Sequence, residues 1–170
     1  MSFRGNYPVS VDAKGRLAIA KKFRDLITAQ ILRPDPVVVE ESNDSKEQKT
    51  EVVVTVDISR ECLCLYMEQE FIEKENAIMS LKGATQNKTI RDLQRLFVGL
   101  AHTIEVDKQG RILIPKTIQQ YFELEKNMVL VGQKTRIEIW RESDWNAFLD
   151  DAFADEGDSE TNEALNDLIL

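Results

Sequence analysis

Runs in which apolar and polar residues alternate occur twice in this chain, each after a glycine-containing turn. Leu17 and Ile19 alternate with other residues in the first run, and Ile112 and Ile114 do so in the second. Alternation with a period of two is typical of strands that bury one face. Each run therefore predicts a strand, a tight turn, a second strand and then a short helix.

Two further strands and a closing helix are predicted after each of these units. The strands are "VVVTVDI" and "CLCLYM" in the first half and "NMVLVGQ" and "RIEIW" in the second. Closing helices are predicted at about 68–81 and at 143–153, the latter with Ser143 as a favourable N-cap residue. Between the halves, "TIRDLQRLFVGLAH" has apolar residues at helical spacing, which predicts an amphipathic connecting helix over 89–102.

The two halves are copies of one unit. "SVDAKGR" at 10–16 matches "EVDKQGR" at 105–111, and the match continues into the following strand and helix. We interpret this as an internal duplication. It predicts a first copy over 1–82 with an inserted loop at about 33–51, a connecting helix within 83–102, a second copy over 103–149 and an acidic tail over 150–170. The inserted loop is polar and acidic from Glu40 onward, and we expect it to be exposed and mobile.

Both turns carry the residues that tight turns require. Gly15 and Gly110 tolerate a positive φ, and Asp12 and Asp107 can accept hydrogen bonds from their own backbone. Each glycine is followed by an arginine, Arg16 or Arg111. We expect the aspartates and glycines to shape the turns and to aim the arginines.

The charge is divided unevenly along the 170 residues. The net charge is −8, yet residues 1–33 carry seven Lys/Arg against two acids, while residues 141–170 carry one arginine against ten acids. An acidic mean therefore does not exclude a locally basic surface. The only two cysteines, the lack of a readable secretory signal and the lack of a long apolar run favour a cytoplasmic protein that spans no membrane.

A basic face over a sheet is the resulting hypothesis for function. Arginine on a two-stranded ribbon can enter the major groove and donate two hydrogen bonds to guanine, while lysines contact phosphates. One chain offers few cations, so several chains in register would be needed for useful affinity. The predicted DNA-binding residues are Arg16, Arg111, Lys14, Lys108, Lys21, Lys22, Arg24 and Lys116.

The segments "FRGNYPVSVDAKGRLAIAKKFRDLI" and "LFVGLAHTIEVDKQGRILIPKTIQQYFEL" resemble the MraZ family, bacterial transcriptional regulators related to AbrB-type DNA-binding proteins. The resemblance implies an α+β fold, a duplicated swapped-hairpin (AbrB-like) β-barrel with flanking helices. It also implies a homo-oligomeric ring that binds double-stranded DNA, associates with the nucleoid and recognises short repeated promoter boxes ahead of the cell-division and cell-wall gene cluster. The chain departs from the family at Ala20, where the second copy has the usual proline, Pro115, and in its inserted loop.

Two other classes of function stay open. An antitoxin-like or scaffolding module would use the acidic tail and loop to bind a protein partner, with the hairpins as architecture only. An enzyme is the remaining alternative, but His102, the only histidine, has no recognisable nucleophile beside it. Cys62 and Cys64 alone make a poor zinc site, so no metal and no cofactor are predicted. We expect both cysteines to pack under a helix or a subunit.

Overall fold

The two copies interleave their strands in one antiparallel sheet. The computed structural model describes residues 2–31 and 49–154 and has an α+β fold. Strands of the first copy are β1 (Phe3–Ser10), β2 (Arg16–Ala18), β3 (Glu51–Val56) and β4 (Leu63–Tyr66). Those of the second copy are β5 (His102–Glu105), β6 (Arg111–Leu113), β7 (Asn127–Lys134) and β8 (Arg136–Arg141).

Six strands follow the order β1-β7-β8-β4-β3-β5, and β2 and β6 form a separate two-stranded ribbon. The first strand of each copy therefore pairs with the third strand of the other copy. If each strand is replaced by its equivalent in the other copy, the order read from one edge becomes the order read from the other edge. The sheet therefore has an approximate two-fold axis between β4 and β8. Among the described residues no hydrogen-bonded pairing joins β1 to β5, so the predicted closed barrel is not confirmed.

Five helices flank the strands within the described part of the chain. The helix predicted at 68–81 ends two residues earlier, at Met79. The connecting helix, predicted at 89–102, runs over 88–99. It begins earlier because Oδ1 of Asn87 accepts the N–H of Thr89 as an N-cap, and it ends earlier because His102 belongs to a strand. The helices are α1 (Lys21–Ile31), α2 (Glu68–Met79), α3 (Lys88–Gly99), α4 (Lys116–Gln119) and α5 (Glu142–Ala154).

The prediction that Ser143 caps the last helix is wrong. Helix α5 begins at Glu142, directly after β8 ends at Arg141, which places Ser143 inside the first turn. The start of the helix is held instead by Arg141, whose Nη1 lies 2.8 Å from Oδ2 of Asp144. No linker separates strand from helix, so the turn has no room for a separate capping residue.

Each face of the sheet carries its own apolar cluster. The larger cluster lies between the sheet, the ribbon, α1 and α4, and takes residues from both copies, such as Leu17, Phe23 and Ile112. The smaller one lies under α2 and α3 and includes Cys62 and Cys64, which confirms that these cysteines pack beneath helices. Because β3 and β4 are covered on both faces, their sequences read as nearly continuous apolar runs.

Much of the predicted insertion and most of the acidic tail lie outside the described residues. The insertion is described only from Lys49 onward, where the carbonyl oxygen of Thr50 accepts the backbone N–H of Val106, 2.8 Å away. The tail is described up to Ala154, the end of α5. None of the described helices has the length and apolar character that crossing a bilayer requires.

Candidate nucleic-acid interface

The first repeated turn is closed by one aspartate. Oδ1 of Asp12 accepts the backbone N–H groups of Lys14, at 2.9 Å, and Arg16, at 3.0 Å. The N–H of Gly15 donates to the Asp12 carbonyl oxygen, at 3.0 Å. Gly15 has φ +79°, a conformation that side chains with a Cβ rarely adopt. The carboxylate and the glycine therefore define the shape of this turn together.

The second turn repeats this geometry. Oδ1 of Asp107 accepts the N–H groups of Gln109, at 2.8 Å, and Arg111, at 2.9 Å, and Gly110 has φ +75°. The other carboxylate oxygen of each aspartate accepts the Nε–H of its arginine, at 2.7 Å for Arg16 and 2.9 Å for Arg111. Each aspartate thus fixes both the backbone of its turn and the direction of one guanidinium group.

The ribbon brings the two arginines to one face. In its register Arg16 lies opposite Leu113, and Ala18 lies opposite Arg111, while Leu17 and Ile112 between them point into the core. The two arginines are therefore diagonal neighbours, whose backbones are about 7–8 Å apart in an antiparallel pair. Their side chains are exposed to nearly the same degree, 32% and 31%. The outer face of the ribbon is thus formed by Arg16, Ala18, Arg111 and Leu113, which we call the ribbon face.

The predicted lysines surround the turns and are exposed. Lys14 and Lys108 belong to the turns themselves, and Lys21 and Lys22 begin α1. Lys21 forms an ion pair with Asp25, with its Nζ 3.3 Å from Oδ2, and Lys116 begins α4. Lys21 and Lys108 line one cleft of about 280 Å³ between α1 and the second turn, so the duplication places basic residues of both copies next to each other.

Arg24, one of the predicted DNA-binding residues, contacts the turn of the second copy. Its side chain is half-buried and covers Gly110 of the other copy, and its Nη1 donates to the carbonyl oxygen of Gln109 at 3.3 Å. Its Nε is buried without a partner among the described residues. The guanidinium group of Arg24 therefore supports the second turn.

Sequence reasoning missed Gln119, which occupies the matching place in the second copy. Its side chain covers Gly15, and its Nε2 donates to the carbonyl oxygen of Ile114 at 2.6 Å. Arg24 and Gln119 are 95 residues apart, the same interval that separates the two turns. This interval could have identified Gln119 as the equivalent of Arg24. The two residues differ in type, however, so the sequence did not show that both cover the glycine of the other copy's turn.

The remaining chemistry-bearing residues lie elsewhere. His102 is on β5, where its Nε2 lies 3.0 Å from Oγ1 of Thr117. Asp57, Cys62 and Cys64 place possible metal-ligand atoms within 4.8 Å of one another. A side-chain hydrogen bond with Cys64, followed by burial, raises the pKa of the Cys62 thiol.

We expect the two turns to loosen only in acid. The hydrogen bond from the N–H of Arg16 is the leading cause that lowers the pKa of Asp12, and that from Arg111 lowers the pKa of Asp107. A depressed pKa in the folded state stabilises the hairpins above the ordinary aspartate value of about 3.9, and this contribution is lost as pH falls through the folded-state pKa. NMR titration of the carboxyl carbons measures both values.

The matched control for this titration is the double variant Asp12→Asn, Asp107→Asn. An amide oxygen can still accept the backbone N–H groups of the turn, but the amide does not titrate and its nitrogen cannot accept an arginine N–H. The variant should therefore lack the acid-dependent change at Arg16 and Arg111. Carboxyl groups that titrate at or above their ordinary value would contradict the hydrogen bonds described here.

Comparisons with known proteins agree on one family. The family model described as "MraZ protein, putative antitoxin-like" matches residues 97–167. The curated protein Transcriptional regulator MraZ of Shewanella baltica is 36% identical, with 99% of each chain covered. The protein of that name from Marinobacter nauticus is also 36% identical, over 97% of this chain and 98% of the relative. With this identity extending along nearly its full length, the chain belongs to the MraZ family.

Proposed function

We propose that this chain is a transcriptional regulator that binds double-stranded DNA through the ribbon face. The observation that carries this proposal is the paired placement of Arg16 and Arg111 on that face, each aimed by its own aspartate. The names of the relatives support a transcriptional regulator, a class that is generally not enzymatic. The interleaved sheet and ribbon would then serve as the swapped-hairpin, barrel-like scaffold that presents the two turns.

Base reading is assigned to the two arginines. Each donates one hydrogen bond, from Nε, to its aspartate, and within the described residues the Nη atoms of both are not engaged in a hydrogen bond. A guanidinium fork of this kind donates two hydrogen bonds to O6 and N7 of guanine. Since bases follow one another every 3.4 Å along a strand, side chains about 7–8 Å apart suit base pairs roughly two steps apart.

The lysines supply the sequence-independent part of the affinity. Lys14, Lys21, Lys22, Lys108 and Lys116 are exposed around the ribbon and are assigned to phosphate contacts. Arg24 is assigned a positioning role over the second turn in addition to any contact with DNA.

Several chains are needed for tight binding. The exposed cations of one chain are few and the net charge is −8, so a homo-oligomer, in the form of a ring, would multiply the ribbon faces in register. Such an assembly suits short repeated promoter boxes, which we place ahead of the cell-division and cell-wall gene cluster. The regulator would act in the cytoplasm at the nucleoid.

A binding titration against salt tests this function. The full-length chain is titrated onto a fragment of that promoter with its direct repeats, and onto a scrambled fragment of equal length and composition. We expect tighter binding to the repeats, with log Kd rising in proportion to log salt concentration as counterions return to the phosphates. Equal and weak binding to both fragments would contradict the proposal and favour an antitoxin-like protein-interaction module.

A further inference from the structure

A large apolar side chain stands in the middle of the basic ribbon face. Leu113 is 52% exposed, although its neighbours in sequence, Ile112 and Ile114, are almost completely buried. The register places Leu113 directly opposite Arg16 on the partner strand. Directly opposite side chains in an antiparallel pair have their Cβ atoms about 4.5–5.5 Å apart. Leu113 and Arg16 therefore form one contiguous apolar and cationic patch.

The fold does not require leucine at this position. The matching residue of the first copy is Ala18, which lies opposite Arg111 in the same ribbon and is also exposed. Both strands use the same backbone pairing, which is therefore compatible with alanine at this position. About half of the surface of Leu113 stays in water, and that part contributes no free energy to folding. Its apolar surface is available for a contact outside the chain.

The approximate two-fold symmetry of the ribbon face is broken at this pair of positions. Arg16 has a leucine opposite it, and Arg111 has an alanine. The arginines and their aspartates are otherwise held alike, with similar exposure and the same hydrogen bonds. Within the ribbon face, Leu113 and Ala18 are therefore the pair of matching residues that differs between the two halves.

We propose that Leu113 contacts the 5-methyl group of a thymine next to the guanine that Arg16 reads, which makes it a specificity-determining residue. This inference rests on the proposed function. Thymine is the base that offers a methyl group in the major groove, and apolar side chains recognise it there. Ala18 is too short to make an equivalent contact beside Arg111. The two hairpins thus read different sequences, and the site for one ribbon is asymmetric.

Replacement of thymine by deoxyuridine tests the contact, because it removes the methyl group and leaves the hydrogen bonds unchanged. The promoter fragment with its direct repeats is prepared with each thymine of a box replaced in turn, and the Kd of the full-length chain is measured by fluorescence anisotropy. For wild type we expect one position in the box at which replacement weakens binding about three- to fivefold, the effect of one buried methyl group.

Two variants complete the test. In Leu113→Ala that sensitive position should lose its response to deoxyuridine, whereas binding to the repeats remains tighter than binding to the scrambled fragment. In Ala18→Leu a second sensitive position should appear in the other half of the box. Thermal unfolding and sedimentation of each variant show whether the ribbon and the oligomer are unchanged.

Three outcomes would overturn the inference, and they differ in what they say of the proposed function. Tight, specific binding with no thymine sensitive to replacement would overturn the role of Leu113 and leave DNA binding in place. An unchanged deoxyuridine response in Leu113→Ala, with a smaller oligomer, would assign the leucine to a contact between subunits. Equal binding to repeats and scrambled DNA would overturn both proposals.

Discussion

Replacement of both Arg16 and Arg111 by alanine is expected to abolish preferential binding to the repeated promoter boxes. Each good bidentate contact to a base contributes about 1–3 kcal/mol of discrimination, so the loss of two contacts removes about 2–6 kcal/mol. Affinity for the repeats should therefore fall at least about 30-fold, to the level measured with scrambled DNA. Anisotropy titrations of wild type and variant at one salt concentration give the ratio.

Two controls separate base reading from charge. The variant Arg16→Lys, Arg111→Lys keeps both positive charges but lacks the planar fork, so it should lose preference for the repeats while it retains much of its binding to scrambled DNA. Arg95→Ala removes an exposed charge from α3, the helix on the opposite face of the sheet from the ribbon, and should change neither. Full preference for the repeats in the lysine variant would contradict bidentate reading.

Gly132→Ala is expected to produce the largest loss of stability. Gly132 of β7 pairs with Gly5 of β1, and a Cβ at Gly132 would lie 2.5 Å from the backbone N of Arg4 and 2.6 Å from the carbonyl C of Phe3. Because these are backbone atoms, β1 must shift away from β7. We expect a loss of about 3 kcal/mol, or about 6–12 °C in Tm for a chain of this size, measured by calorimetry.

The matched control is Gly99→Ala at the end of α3. A Cβ there would have nothing within 4 Å, so the change in the free energy of unfolding should stay within about 0.5 kcal/mol. Because β1 leads directly into the first turn, Gly132→Ala should also weaken DNA binding at temperatures well below its Tm. A Tm equal to that of wild type would mean that β1 does not depend on its pairing with β7.

The elements were largely predictable, since they depend on local patterns. The alternation of Leu17 and Ile19 located β2, and the spacing of apolar residues located α3 to within a few residues. The predicted bounds were wrong at the ends of elements, because contacts outside the local pattern determine where a helix or strand begins and ends. Ser143 is a good N-cap residue in isolation, but the direct passage from β8 into α5 and the ion pair of Arg141 with Asp144 set the start of that helix.

Arg24 shows why the candidate site was less predictable. Its charge predicted a DNA contact, and the structure adds that its side chain covers Gly110, 86 residues further along the chain. The sequence gives the residue type of Arg24, but it does not show which residue of the other copy its side chain contacts. The alternation of Ile112 and Ile114 already placed Leu113 on the other face of its strand, but only the register shows that Leu113 lies opposite Arg16.

The sequence by itself determined the turns. An aspartate that accepts hydrogen bonds from two nearby backbone N–H groups and a glycine with positive φ act over five residues, so Asp12–Arg16 and Asp107–Arg111 form the same structure wherever the chain places them. Only the tertiary structure decided that these turns belong to one surface. Pairing of β2 with β6, and of each first strand with the third strand of the other copy, joins residues between 48 and 131 positions apart. Such pairing depends on burial of a core shared by both copies, which no local pattern specifies.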